Sequence, residues 1–341
     1  MPNPVLTRAI DRLSGRESLS ADAAAEVLRE VMEGRASEAQ TAALLIALRT
    51  KGETVEELAG LARAMRELAV RVEVADGADL LDTAGTGGGR PTFNVSTLAA
   101  LVAAGAGCRV AKHGNRSATG LSGSADVLEA LGARIDLEPA RVAACVEEVG
   151  FGFMFAPHHH AATRHVVPVR RELGVRTIFN FLGPLTNPAG ATRQLIGVSD
   201  PAYLETMAAA LNMLGAHAAL VVSSMDGLDE LSVSAPTRVV ELRNGHLEAY
   251  DLRAEDVGVE PAPPDAIPAG PPDGNARTAR RVLAGARGPE RSLAVLNAGA
   301  AIYVAGAAST VEAGCRRAEH AIDSGAAAEV LRRFVDETQR P

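Results

Sequence analysis

Apolar positions recur at helical spacing through the first seventy residues. Ser20 precedes ADAAAEVLREVMEG. Ser37-Glu38-Ala39-Gln40 precedes AALLIALRTKG, and Thr54-Val55-Glu56-Glu57 opens LAGLARAMRELA. A Ser or Thr followed three residues later by Gln or Glu is a capping box, so residues 1–70 are expected to form four helices. They contain no His or Cys, which reads as a packing or dimerisation module.

From about residue 78 short apolar runs alternate with helical patterns. ADLLDTAG, TLAALVAAGAG, CRVAKHG and ADVLEALGA come first. ARIDL, ARVAACVEEVG and FGFMFAP follow, then RQLIGVSDP, AYLETMAAALNMLG and HAALVVSSMDG. Such alternation predicts an α/β sheet with mainly parallel strands. Sites in these sheets lie beyond the carboxyl ends of strands. RHVVPVRRELGVRTIFNFLG (164–183) interrupts the alternation with helix. GVEPAPPDAIPAGPPDG (258–274) reads as an extended surface connection. From Asn275 the chain is Ala-rich helix. The expected fold class is therefore α/β, a small all-helical domain plus a larger α/β domain. The helical domain takes residues 1–72, with a helical insertion near 164–190 packing on it. The α/β domain takes 73–163 and 191–341.

Composition narrows the function. The 341 residues suit two unequal domains, and 47% hydrophobic against 22% charged is globular. No 18-residue run is purely apolar, which argues against a membrane span. No signal peptide is expected at MPNPVLTRAIDRLSG, and the cytoplasm is the default location. Cys108, Cys145 and Cys315 lie far apart, without a CxxC pair. The net charge of −8 disfavours nucleic acid as a partner. Of 34 basic residues, 32 are arginine, and the two lysines are Lys51 and Lys112. Lys112 falls inside the densest polar motif.

Five segments carry candidate chemistry. Gly85-Thr86-Gly87-Gly88-Gly89 follows a strand, and bare glycine N–H groups can nest phosphate oxygens. Asn94-Val95-Ser96-Thr97 opens the next helix, whose N-terminus favours an anion. Alone, this loop is as well explained by a turn. Lys112-His113-Gly114-Asn115-Arg116-Ser117, with Ser122-Gly123-Ser124, crowds cations, an imidazole and hydroxyls at one strand end. That crowding costs desolvation unless a ligand pairs the groups. His158-His159-His160 face different directions, so one His lining a pocket is a better reading than a metal triad. Arg170 and Arg171, adjacent on a helical stretch, each offer a fork for a carboxylate or are ordinary surface or helix-end arginines. Asp226-Gly227-Leu228-Asp229-Glu230 offers carboxylates for a hard cation such as Mg²⁺ or forms a solvated acidic turn.

GTGG…TFNVST, KHGNR…SGSADVLEALG, FAPxHH, VRRELGVRTIFNFLGPLTNPAG and DGLDE occur in this order. Together they resemble the anthranilate phosphoribosyltransferase family of tryptophan biosynthesis, over nearly the whole chain. The resemblance implies a homodimer through the helical domain. It implies transfer of the phosphoribosyl group of phosphoribosyl pyrophosphate (PRPP) to the amine of anthranilate, with Mg²⁺. Carried onto this sequence, Gly85, Gly87, Gly88, Gly89, Thr92, Asn94, Val95, Ser96, Thr97, Lys112, His113, Gly114, Asn115, Arg116, Thr119, Gly120 and Ser124 would bind PRPP. Ser96, Asp229 and Glu230 would serve Mg²⁺. Gly85, Asn115, Arg170, His113, His160 and Gly183 would hold or line the path of anthranilate. Lys112, Asn115 and Arg170 would position the reactants; no general base is evident.

Three departures stand out. The family usually reads GTGGDGxxTFN; here GTGGGRPTFN lacks the aspartate and one residue, and Arg90 and Pro91 add charge and stiffness. An altered Mg²⁺ dependence is expected, and a Mg²⁺ titration overlaying that of an Asp-containing relative would count against it. Ala161-Ala162-Thr163 follows His160, and Thr119 stands where serine is common. Two alternatives share the architecture. KHGNR and GPLTNP speak against a pyrimidine nucleoside phosphorylase; the acidic charge and the retained Asn115 and Arg170 speak against a nucleic-acid-binding paralogue.

Overall fold

The structure, a computed structural model, describes residues 1–75, 79–117 and 121–340. Thr119 and Gly120 lie outside the described residues.

Four helices open the chain: α1 (Pro4–Ser14), α2 (Ala21–Met32), α3 (Glu38–Lys51) and α4 (Val55–Glu67). Asn3, Ser20, Ser37 and Thr54 each cap one through a side-chain oxygen. The reciprocal box forms at Thr54 and Glu57. At Ser37 only half of the box is made. The Gln40 amide, which should reach back, instead exchanges hydrogen bonds with the Asn3 backbone at 3.0 Å and ties α3 to the start of α1.

Next come β1 (Leu81–Gly85), α5 (Val95–Gly105), β2 (Val110–Gly114), α6 (Ser124–Ala130), α7 (Pro139–Val149) and β3 (Phe151–Phe155). A short α8 (Ala156–His159) precedes α9 (Val167–Leu173) and α10 (Phe179–Leu185). Then come β4 (Arg193–Gly197), α11 (Leu204–Met213), β5 (Ala218–Ser224), β6 (Thr237–Arg243) and β7 (His246–Leu252). Four helices, α12 (Pro272–Leu283), α13 (Pro289–Val304), α14 (Val311–Asp323) and α15 (Ala326–Gln339), close the chain.

The seven strands form one sheet in the order β3-β2-β1-β4-β5-β6-β7. The first five are parallel; β6 and β7 are antiparallel. The expected ARIDL strand is absent. Ile135 and Leu137 are buried, but residues 133–137 pair with no strand. The β6–β7 hairpin, beyond the expected strand-helix alternation, turns at Asn244-Gly245. Both residues take positive φ, 51° and 81°, as a tight two-residue hairpin turn requires.

Alternation along the strands builds two cores. Leu195, Leu220, Val222 and Val239 face the core shared with α5 and the C-terminal helices. Ile196, Val221, Val240 and Leu242 face the other, with Leu28, Leu45 and Leu61 of the N-terminal helices. Val166, Val169, Phe179 and Leu182 of the 164–185 stretch join that second core. The N-terminal helices and α9–α11 thus cover one face of the sheet.

Candidate active site

The strand order reverses direction between β1 and β4, where β1 runs on to β2 and β4 to β5. A crevice opens there beyond the carboxyl ends, the usual ligand position in such sheets. It holds a cavity of about 1070 Å³. The loops after β1, β2, β3 and β5 converge on it with α9 and α10.

Of the residues singled out above, Gly85, Gly87, Gly88, Gly89, Thr92, Asn94, Ser96, Lys112, His113 and Gly114 line this cavity. So do Asn115, Arg116, Ser124, His160, Arg170, Gly183, Asp229 and Glu230. Val95 and Thr97 do not. Both side chains are buried within the first turn of α5, so only their backbone faces the site end of that helix.

Asn94 precedes α5 in the left-handed region, φ 65° and ψ 50°. Its amide donates to Ser122 O at 2.9 Å and accepts from Asn275 Nδ2 at 2.8 Å. Those bonds hold an uncommon conformation of the sort found at functional sites. The side chain therefore does not cap the helix; the Thr97 N–H turns back to Asn94 O at 3.1 Å and the Ser96 N–H is taken by Glu230.

Lys112 is buried, 2% exposed. Its ammonium donates to Thr83 O, to Thr83 Oγ1 at 3.2 Å and to Ser96 Oγ at 3.3 Å, all neutral oxygens. Burial pulls its pKa down to about 8, against the opposing charges of Asp82 and Glu230. Asp82 is fully buried one strand away. It accepts from Asn187 Nδ2 at 2.7 Å and from the His113 N–H at 3.1 Å, and burial raises it to about 6.

The acidic turn divides in two. Asp226 is consumed by structure: it accepts from Arg90 Nη2 at 2.9 Å and from Ser232 Oγ at 2.8 Å. Asp229 and Glu230 face the cavity. Burial pushes both carboxyls up, and at Glu230 the charge of Asp229 adds to the rise. The Ser96 N–H donates to Glu230 at 3.0 Å. Close approach fixes this turn. A Cβ on Gly197 would lie 1.6 Å from Asp229 O, and one on Gly89 2.6 Å from Asp229 N. These glycines have no room for a side chain.

Arg90 corrects one expectation. It does not offer free charge to the cavity, because Asp226 neutralises it. Its N–H also donates to Gly227 O at 2.7 Å, so the shortened loop is stapled to the acidic turn.

On the helical side, Arg170 lies 5.5 Å from the Phe179 ring centroid, half-buried, with its pKa lowered by burial. Among the described residues its guanidinium has no ion-pair partner. His113 and His160 pack at 5.1 Å. His113 Nδ1 pairs with Gly183 O at 3.2 Å and His160 Nε2 with Thr186 O at 3.1 Å. Burial lowers both, His160 to about 4, so both rings are neutral at pH 7. His159 turns away to Val70 O at 2.8 Å. The three consecutive histidines therefore do not converge. Among the described residues no cluster of three His, Cys, Asp or Glu could hold a metal.

Arg116 lines the cavity but spends its guanidinium on Asp126 at 2.9 Å and Glu129 at 2.5 Å. Arg176, not singled out in the sequence, also lines the cavity and donates to Gly87 O at 3.1 Å. An exposed arginine after a helix is an ordinary sequence feature, which is why it went unread.

Among the described residues no helix is long and apolar enough to cross a membrane. Residues 77–328 match the glycosyl transferase family, a/b domain, and residues 7–69 the helical bundle domain of the glycosyl transferase family. The chain is 54% identical over 338 residues to an anthranilate phosphoribosyltransferase of Rubrobacter xylanophilus, covering 98% of each. A crystal structure of the Thermus thermophilus anthranilate phosphoribosyltransferase superposes with TM-score 0.92 at 46% identity, covering 97% of this chain and 99% of that one. The Saccharomyces cerevisiae enzyme in complex with PRPP and Mg gives TM-score 0.88 at 26% identity, over 98% and 97%. With its helical bundle, its mainly parallel sheet and this degree of identity, the chain belongs to the anthranilate phosphoribosyltransferase family.

Proposed function

We propose that the cavity beyond β1 and β4 holds PRPP on its loop side and anthranilate on its helical side, and joins them. The observation that carries this is the convergence on one cavity of a glycine loop without side chains (85–89), a buried cation bonded only to neutral oxygens (Lys112) and an arginine without an ion-pair partner among the described residues (Arg170). A polyanion and a carboxylate are the ligands that such a set lacks.

Asp229, Glu230 and the Ser96 hydroxyl fit Mg²⁺, which takes one or two carboxylates and shares its remaining positions with water and substrate phosphates. Both carboxyls are raised by burial, a cost that a bound cation relieves. Mg²⁺ would supply charge neutralisation for the pyrophosphate.

The protein's own contribution is placement and charge. The backbone of the glycine loop, close to the cavity and free of side chains, would approach the phosphate oxygens. Lys112 would neutralise negative charge as the C1–O bond breaks and its electron pair leaves with pyrophosphate. Arg170 would fix the anthranilate carboxylate so that the amine lone pair forms the new N–C1 bond. The amine then releases one proton. An arylamine is neutral at pH 7, so no strong base is demanded. The neutral His113 and His160 line the path as apolar-faced rings.

We further propose a homodimer through the helical layer, where Ile10, Ala43, Ile46 and Ala47 border a hollow between α1 and α3. Helices α1 to α4 carry none of the chemistry above.

Mixing the protein with PRPP, Mg²⁺ and anthranilate and following anthranilate fluorescence tests the proposal. Fluorescence is expected to fall with turnover; a folded protein that leaves it unchanged would sink the reading.

A further inference from the structure

We propose that Arg176 is an additional pyrophosphate-binding residue, delivered to the glycine loop from the helical layer. This rests on the reading that PRPP lies on that loop.

The chain geometry brings it there. Helix α9 ends at Gly174, which takes the left-handed conformation with φ 61°. The chain reverses, and Arg176 reaches back across the cavity mouth. Its Nη2 donates to Gly87 O at 3.1 Å. Its Nη1 lies 2.8 Å from where a Cβ on Gly88 would stand. The guanidinium thus covers Gly87 and Gly88, whose φ values of 65° and 86° leave the loop backbone bare of side chains at the cavity.

Arg176 has little else to do. A guanidinium carries five N–H donors in a planar fork. Among the described residues one backbone carbonyl is its only hydrogen-bond acceptor, and no carboxylate lies within ion-pair distance. Asp229 is near enough to feel its charge. Arg176 lines the same cavity as Lys112. A pyrophosphate on the loop would then meet both cations. Arg170 and Arg176, six residues apart, would hold the acceptor's carboxylate and the leaving group from one segment.

The competing role is a strut that merely ties the loop to the helical layer through Gly87 O. Two variants separate them. Arg176→Gln keeps an N–H donor for that carbonyl but loses the charge; Arg176→Lys keeps the charge. Steady-state kinetics and inhibition by added inorganic pyrophosphate provide the readout. Arg176→Gln should raise both the KM for PRPP and the Ki for pyrophosphate about tenfold or more, as loss of a charged hydrogen bond does. The KM for anthranilate should stay within about twofold, and Arg176→Lys should recover part of the loss. Unchanged PRPP and pyrophosphate constants in Arg176→Gln, equal rises for both substrates, or a worse defect in Lys than in Gln would overturn the proposal. Wild-type protein that turns over but ignores pyrophosphate would overturn the loop assignment itself.

Discussion

Two lysines are buried in this chain, one in each layer, and their surroundings differ. The Lys51 side chain is 5% exposed, at the end of α3. It pairs with Glu57 Oε2 at 2.9 Å and also donates to Gly52 O and Ser18 Oγ. Glu57 is fully buried, and its other oxygen accepts from the Leu19 N–H. Every charge in that cluster is answered locally. Lys112 is as deeply buried, but only neutral oxygens contact it, and its pKa falls to about 8. A buried charge with a full set of partners is a structural clasp; one left short is waiting for a ligand. The two lysines of this chain are therefore a clasp and, as proposed above, a substrate contact, and their partners tell them apart.

The largest effect should come from the clasp. Lys51→Met leaves Glu57 buried without its cation. Removing one partner of a buried pair costs about 3–5 kcal/mol. Chemical denaturation should show that loss, with kcat/KM of the folded protein unchanged. A near-neutral stability change would mean that Glu57 is held by its N–H donors alone.

Lys112→Met should do the opposite. Stabilising donors aimed at developing charge are worth about 10²–10³ in rate, and kcat/KM should fall by that order. Stability at pH 7 should not fall, because an apolar chain replaces a poorly compensated charge. Strong destabilisation with retained kinetics would make Lys112 a second clasp.

Arg170→Ala extends the comparison to the helical side. Losing a charged hydrogen bond costs about 1.5–3 kcal/mol, so the KM for anthranilate should rise about tenfold to a hundredfold. The KM for PRPP should change far less. Equal changes would remove the assigned role.

The smallest effect is a pH dependence. With a pKa near 8, unliganded Lys112 loses its proton above that pH, while the unfolded chain keeps it to about 10.5. The unfolded state then binds more protons, so stability should rise between about pH 8 and 10.5. PRPP affinity should weaken over the same range, since binding must recharge the ammonium. Both trends should vanish in Lys112→Met.

Much of this was legible in the sequence because its causes are local. Ser20, Ser37 and Thr54 cap their helices within three residues, and the glycine loop, Lys112 and the acidic turn each follow a strand. What escaped reading depends on distant partners. Asp82 and Asn187 are 105 residues apart, and Arg90 and Asp226 136. Neither pairing has a signature in the neighbouring residues. Arg176 depends on a turn at Gly174 and a loop 89 residues away. The Gln40 amide missed its box because Asn3 offered a better-placed backbone.

The most direct test of the central contrast is the rise in unfolding midpoint on adding PRPP and Mg²⁺. A ligand at about a hundred times its Kd adds about 2.7 kcal/mol to the folded state. Wild type and Lys51→Met should both gain that stabilisation, while Lys112→Met should gain little or none. A full shift in Lys112→Met would contradict the assignment of the under-partnered lysine to the substrate site.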